Sequence, residues 1–444
     1  MTPAPDIPEV IGAVAAATNA GCIVISSSEP HRLKDGDEVK VDGVEGNAAA
    51  NGAFYVKASD QSATTFALYS DNKLAQPVAG TGDYQKGGTI YRPLDDYAIV
   101  VGINRYPAFT SLQGPEADAL RFRNWLVSPT GGMVAMNQVR IILSSDYSVP
   151  DPLDISTWQP ALDDLKLAFR KLSDQAYDNE KNKGSSRVGR RLYIFLSGHG
   201  ITPAKAASNY LDDAALLSAS ASETAPGEHI LGHSWAEWFH NAAAFDEIIL
   251  LMDCCRDLKN NVIPVQCTLL PLISDRRDQV RLFYAAATEL DSKSWEQDFG
   301  SPPERHGVFS YALMQALHNE TLSDSEGRLT GSLVAQYLHD QVPKLRGDQK
   351  PKIMFDSLRD IVLVQKRLSF EPNLRVVFDP SCAGQKVQLF LGNNPSLPFR
   401  THVANGGPWS LRVERGIHKL STPGGKPTFF QLDGSQEVMD VQFP

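Results

Sequence analysis

Apolar and polar positions along this chain change rhythm twice. From about Pro8 to Tyr91 there is no 3.6-residue period, and short apolar runs stand between turn residues. Residues 21–26, 37–41, 53–56 and 65–69 read as strands, punctuated by Asp35-Gly36, Asp42-Gly43 and Asn51-Gly52. The pattern predicts a small all-β module over residues 1–92. Between residues 93 and 366, strand-like runs at 97–101, 139–143, 191–196, 248–252, 282–286 and 361–364 alternate with helical faces. Those faces are Ala119, Phe122 and Leu126; Leu162, Leu165, Phe169 and Leu172; and Phe309, Ala312, Leu313 and Ala316. Ser234 and Glu237 have capping-box spacing, opening a helix that turns Trp235, Trp238, Phe239 and Ala242 inward. Near-continuous apolar strands between amphipathic helices predict an α/β fold, a six-stranded, mostly parallel sheet sandwiched by helices. From residue 367 to 444 alternation returns at 374–378, 386–390, 409–413 and 438–443, which predicts a small β-sandwich-like domain.

Composition narrows the classes. The chain has 444 residues, 42% hydrophobic and 21% charged, as in ordinary globular proteins. No apolar run approaches the ~20 residues that span a bilayer, so no membrane partner is expected. Met1 to Asp6 shows no basic region ahead of an apolar stretch, which argues against secretion and against reading the chain as a surface adhesin. Five cysteines, two of them adjacent, make a poor disulfide framework and favour a reducing, cytoplasmic setting. A net charge of −10 argues against a nucleic-acid partner. There is no Cys-x-x-Cys pair and no His-Glu-x-x-His, so no zinc site is expected.

Two segments carry chemistry, each following a buried strand where open α/β sheets place their sites. One is Ser197-Gly198-His199-Gly200; the other is Asp253-Cys254-Cys255-Arg256. Adjacent strands would bring His199 beside Cys255. A free thiol, with a pKa near ~8.5, is only a few per cent thiolate at neutral pH, and a neighbouring imidazole raises the reactive fraction. His199 would then act as general base and acid, and Cys255 as nucleophile. The amides of Gly200 and Cys255 are candidate oxyanion donors. Strand alternation turns Cys254 toward the core, and Cys22, Cys267, Cys382, His229, His233, His240 and His306 read as packing or surface residues.

These loops resemble the caspase and metacaspase superfamily, a histidine loop followed by an Asp-x-Cys loop. Their separation of 56 residues fits the ~50 residues of that family. Val101 to Tyr106, Leu112 to Asp118, Phe283 to Thr288 and His306 to Ser310 match further segments, so the resemblance covers about residues 95–366 in order. It implies a caspase-like fold and a bacterial-type cysteine endopeptidase. Asp253, Cys254 and Asp257 depart from the Gln-Ala-Cys-x-Gly loop of animal caspases and point to metacaspase-like relatives, which cut after Arg or Lys. The matching acidic S1 residues are Asp118, Ser197 and Asp253, with Pro115 where metacaspases often carry Cys. Residues 31–52 separately resemble a small β module repeated in phage-tail proteins, which implies binding or packing.

The resemblance also implies a zymogen acting on protein substrates with a basic P1 residue, in regulated cell death or antiviral defence. Residues 178–191, expected as an exposed loop, offer Arg187, Arg190 and Arg191 as cleavage sites for the enzyme itself or an activating protease. Residues 258–278, in place of the family's inter-subunit linker, offer Arg276 and Arg277. No cofactor is expected. Some metacaspases use calcium, and no ligand-spaced acidic loop is present here. The rival reading is a catalytically silent caspase-like scaffold that binds partners through its β domains.

Overall fold

The computed structural model describes residues 8–203, 213–319, 321–324, 327–355, 360–365, 374–390, 392, 400–404, 407–411, 413, 416–432 and 438–444. The leading segment Met1–Asp6, and Arg412 within the expected strand 409–413, lie outside them. The chain divides into two compact units, residues 1–324 with 328–366, and residues 325–327 with 367–444.

The first unit begins with a closed barrel of β1 (Val10–Ala17), β2 (Val24–Ser27), β3 (Glu38–Glu45), β4 (Gly52–Lys57), β5 (Thr65–Tyr69) and β6 (Lys86–Tyr91), ordered β1-β2-β5-β4-β3-β6. Its side chains Ile23, Ile25, Val39, Val41, Val56, Phe66, Leu68 and Ile90 fill a core of their own. Closure leaves no edge strand open. The Glu38 carboxylate accepts the Met136 amide (2.9 and 3.0 Å) and the ammonium of fully buried Lys40 (2.6 Å). A charge pair is thus sealed where the barrel meets the next layer.

That layer is a six-stranded sheet. Its strands are β7 (Asp96–Gly102), β8 (Val139–Leu143), β9 (Gly189–Ser197), β13 (Phe245–Asp253), β15 (Arg281–Ala286) and β19 (Lys352–Phe355), ordered β19-β15-β13-β9-β7-β8. Five run parallel, and β19 is antiparallel at the edge. Between them lie α1 (Pro115–Val127), α2 (Leu162–Lys183), the short strands β10 (Gly200–Pro203), β11 (Ala215–Leu217) and β12 (His229–Leu231), α3 (Gly232–Asn241) and β14 (Asp257–Lys259). The hairpin β16 (Glu296–Phe299) and β17 (Glu304–Gly307), then α4 (Val308–His318), β18 (Arg328–Thr330), α5 (Gly331–Leu345) and β20 (Val362–Gln365) complete the unit. Successive strand side chains go to opposite faces. Ile194, Leu196, Leu250 and Met252 meet Phe169 of α2 and Trp235 and Phe239 of α3. Tyr193, Phe195, Ile249 and Leu251 meet Phe122 of α1 and Phe309 and Leu338 of α4 and α5.

Three expectations need correction. The sixth sheet strand is 352–355, not 361–364, because β20 pairs instead with β18 in a separate ribbon. Ser234 does not cap α3; it is the third residue of that helix, and the Asp213 carboxylate accepts the His233 and Ser234 amides at 2.9 Å. Residues 178–183 are the last turns of α2, and Gly184 ends it in the left-handed conformation (φ 65°).

β9 is buried along all nine residues, including Arg190 and Arg191. Arg190 pairs with Asp96 (Nε to Oδ1 2.7 Å), while Arg191 donates to Glu247 (2.6 Å), the Tyr193 hydroxyl (2.8 Å) and the carbonyls of Val362 and Leu363. Arg281 also reaches Glu247. This charged cluster sits at the N-terminal ends of the strands, opposite the loops of interest.

The second unit holds β21 (Leu374–Phe378), β22 (Lys386–Phe390), β23 (Arg400–Val403), β24 (Trp409–Leu411), β25 (Gly416–Ser421), β26 (Thr428–Leu432) and β27 (Met439–Phe443). They form two sheets, β24-β21-β27 and β23-β22-β25-β26, around Leu374, Val376, Val387, Leu389, Leu420 and Val441.

Removing one partner of a buried ion cluster strands the others, at about 3–5 kcal/mol. Glu247→Gln should therefore lower the stability of the first unit by that order, read as a lower urea midpoint for loss of the sheet's far-ultraviolet signal.

Candidate active site

β9 and β13 pair in parallel with residues 189–197 opposite 245–253, a constant offset of 56. Both strands then break for a few residues and resume in a second small sheet, ordered β12-β11-β10-β14. There Ile201 pairs with Asp257, again at an offset of 56. His199 and Cys255 have the same offset and fall in the two breaks. They are therefore level with each other at the C-terminal ends of adjacent strands, which run about 4.8 Å apart.

The breaks are packed tightly. The Gly198 amide donates to the Asp253 carbonyl (3.2 Å). A side chain at Gly200 would put its Cβ 2.6 Å from the Cβ of Cys254 and 2.6 Å from the Cys255 carbonyl oxygen. Only glycine lets the histidine loop lie this close to the cysteine loop.

His199 is held by the loop between β7 and α1. Its Nε2 donates to the Thr110 carbonyl (2.7 Å), a bond a carbonyl can only accept, so the neutral ring carries its lone pair on Nδ1. Tyr106 and Phe109 pack edge-on against the ring, with centroids 4.6 and 6.0 Å away. Cys255 is half-buried. Its sulfur accepts the Ser294 amide (3.3 Å) and lies 3.5 Å from the Ser294 carbonyl. Burial pushes the thiol above its usual range, and the Ser294 amide only partly offsets that. Among the described residues no hydrogen bond joins Cys255 to His199. Cys254 is buried, and burial holds its thiol well up.

Asp118 and Asp253 come together beneath these loops. Asp118, from the first turns of α1, accepts from His306 Nδ1 (2.7 Å) and from the Gly307 amide (2.8 Å). Asp253 accepts from the hydroxyls of Ser294 (2.7 Å) and Ser310 (2.5 Å). Burial, and then the charge of Asp118, push the Asp253 carboxyl up to about 6. Burial also raises Asp118. In the sheet register Ser197 is flanked by Gly102 and Asp253. Glu296 fixes the start of α1 by accepting the Gln113 and Gly114 amides.

Several contributors were not legible in the sequence. His306, ranked above among packing or surface residues, is 2% exposed and grips Asp118, with Arg121 3.1 Å from its Nε2. Gln349, fully buried, bonds the Trp295 amide (3.1 Å) and the Ala287 carbonyl (3.1 Å), pinning the loop that touches Cys255. No local pattern marks either residue. The segment His306 to Ser310 signals a site only through its family resemblance.

The exposure expected of residues 178–191 holds for most of 178–184 and fails for the arginines that follow. Arg190 and Arg191 lie inside the central strand with buried ion pairs, out of a protease's reach in the folded chain. Arg187 is clamped by Asp246 (2.8 Å). Arg276 and Arg277 keep 40% and 46% of their side chains exposed. Their segment is strapped down where the Trp238 indole donates to Leu270 (2.9 Å) and the Ser274 amide donates to Asn241 (2.8 Å). Among the described residues no group of His, Cys, Asp and Glu is placed to hold a metal ion, and no helix is long and apolar enough to cross a membrane.

This is a mixed α/β protein with a thiol and an imidazole level at the open end of its central strands. No family model matches the chain. In sequence it is 30% identical over 166 residues to a probable protease from a Desulfuromonadales bacterium, a match covering 37% of this chain. The chain accounts for only 19% of that relative's length. Among solved structures, a Geobacter sulfurreducens protein aligns over 62% of this chain and 98% of its own, with 12% identity and a TM-score of 0.36. Pro-sf-caspase-1 aligns over 59% and 91%, with 9% identity and a TM-score of 0.32.

A raised thiol holds less thiolate at neutral pH than an ordinary one. Alkylation of Cys255 by iodoacetamide, followed peptide by peptide, should reach half its high-pH rate above the midpoint of an unfolded-chain cysteine near ~8.5. A midpoint below that would contradict the burial described here.

Proposed function

We propose that the chain is a caspase-like cysteine endopeptidase that cuts after basic residues, Arg ahead of Lys, with Cys255 as nucleophile and His199 as general base. The observation that carries this reading is the common register that sets the two residues level, with the imidazole lone pair on Nδ1. Sequence kinship to a probable protease supports it. In this scheme Nδ1 takes the thiol proton as sulfur attacks the substrate carbonyl. The developing oxyanion faces the amides of Gly200 and Cys255. His199 then protonates the departing amine, and water hydrolyses the thioester.

The acidic pair Asp118 and Asp253, beside Ser197, is the proposed S1 site. Two buried carboxylates, Asp253 raised further by the charge of Asp118, are relieved by a cation, and a guanidinium can meet them with two hydrogen bonds. The Ser294 contact on the sulfur favours a restrained, zymogen-like resting state released by cleavage at the exposed Arg276 or Arg277. Action in the cytoplasm, in regulated cell death or antiviral defence, is the setting proposed for it. The same contact is the observation that favours the second reading, a silent scaffold, because the resting thiol bonds Ser294 and not His199.

The test is hydrolysis of peptides differing only at P1 (Arg, Lys, Asp, Ala) by wild type and Cys255→Ala, before and after nicking the 258–278 segment. Turnover after Arg and Lys, at least ~10²-fold lower in the variant, is expected. Turnover after Asp refutes the S1 assignment, and none after nicking leaves the scaffold reading. A folded-state carboxyl near 6 loses its charge as pH falls through that value. KM for the Arg peptide should therefore rise below about pH 6, while KM for the Ala peptide stays level.

A further inference from the structure

We infer that Tyr106 is the positioning residue of this site, holding the His199 main chain so that the imidazole meets the thiol and the Gly200 amide faces the nucleophile loop. The inference rests on the proposed pairing of His199 with Cys255. Tyr106 follows β7, on a loop unrelated in sequence to either reactive segment, and is 1% exposed. Its hydroxyl accepts the His199 amide (3.0 Å) and donates to the Leu217 carbonyl (3.1 Å). The Leu217 amide in turn donates to the His199 carbonyl (2.9 Å). Three hydrogen bonds thus close a ring through Tyr106, His199 and Leu217 and fix both main-chain groups of the histidine.

Peptide planarity carries this order one residue further. The His199 carbonyl points to β11, so across a trans peptide the Gly200 N–H points the other way. β10 lies between β11 and β14, so that other way is the side on which the chain arrives from Cys255. One hydroxyl therefore sets the direction of both the base and a proposed oxyanion donor.

The neighbourhood is cut to fit that hydroxyl. A Cβ on Gly198 would lie 2.3 Å from the tyrosine oxygen, so the glycine leaves the space the hydroxyl fills. The Tyr106 ring also lies against the imidazole, 4.6 Å between centroids. Burial drives the phenol upward in pKa, so it stays a hydrogen-bond donor throughout the working pH range.

The experiment uses the full chain, nicked in the 258–278 segment so that the Ser294 restraint on the thiol is released, and needs no known substrate. Iodoacetamide alkylation of Cys255 is followed from pH 5 to 10 in wild type, His199→Ala, Tyr106→Phe and Tyr106→Leu. His199→Ala should remove the neutral-pH component of the rate, a loss of about 10²-fold there, and leave the high-pH thiolate component. Tyr106→Phe keeps the ring and deletes only the hydroxyl. It should cut the neutral component about threefold to tenfold, the worth of a buried hydrogen bond, without moving the high-pH one. Tyr106→Leu, which also deletes the ring, should cut it at least as far. The ratio of the two components is read on folded protein, because any unfolded fraction alkylates as a separate fast phase. Equal scaling of both components by Tyr106→Phe would mean a merely structural role and overturn the inference. If His199→Ala slows alkylation and Tyr106→Phe does not, the pairing stands and the inference fails. If His199→Ala changes nothing, the pairing fails and takes the inference with it.

Discussion

The constraint on which the site depends is the parallel pairing of β9 with β13 at one unbroken offset. Because the same offset resumes in β10 and β14, the two breaks have no freedom to slide past each other. In a sheet buried on both faces, a slip of one residue would turn every core side chain to the wrong layer. The packing of α2 and α3 on one face, and of α1, α4 and α5 on the other, therefore fixes which residue stands opposite which. The level of His199 with Cys255 is set by the core, and the loops supply only their orientation.

Around that pair the structure separates two electrostatic regimes. At the N-terminal ends of the strands, Arg190 pairs with Asp96, and Arg191 and Arg281 share Glu247. At the C-terminal ends, Asp118 and Asp253 rely on hydroxyls, main-chain amides and His306. A buried charge that is paired is inert, and one that is held only by dipoles keeps an appetite for a cation. The difference explains why two clusters of similar burial invite different readings.

Much of this was legible in the sequence where local signals were strong. The continuous apolar runs before Ser197 and Asp253 announce buried parallel strands. Other parts were silent for identifiable reasons. β1 and β6 are rich in Ala and Gly, which carry little strand preference, and β19 is a four-residue edge strand with a mixed pattern. Arg190 and Arg191 look like surface charges because their partners lie 94 and 56 residues away. His306 meets Asp118 across 188 residues, and nothing near either one foretells the contact.

The Glu38 carboxylate, which accepts both the Lys40 ammonium and the Met136 amide, has a consequence for how the first unit comes apart. Lys40 has no exposed surface, and its charge is tolerable there because Glu38 is beside it. Parting the barrel from the sheet layer would break the hydrogen bond from the Met136 amide to Glu38. Glu38 therefore ties the barrel to the sheet layer across the boundary near residue 92 that is plain in the sequence.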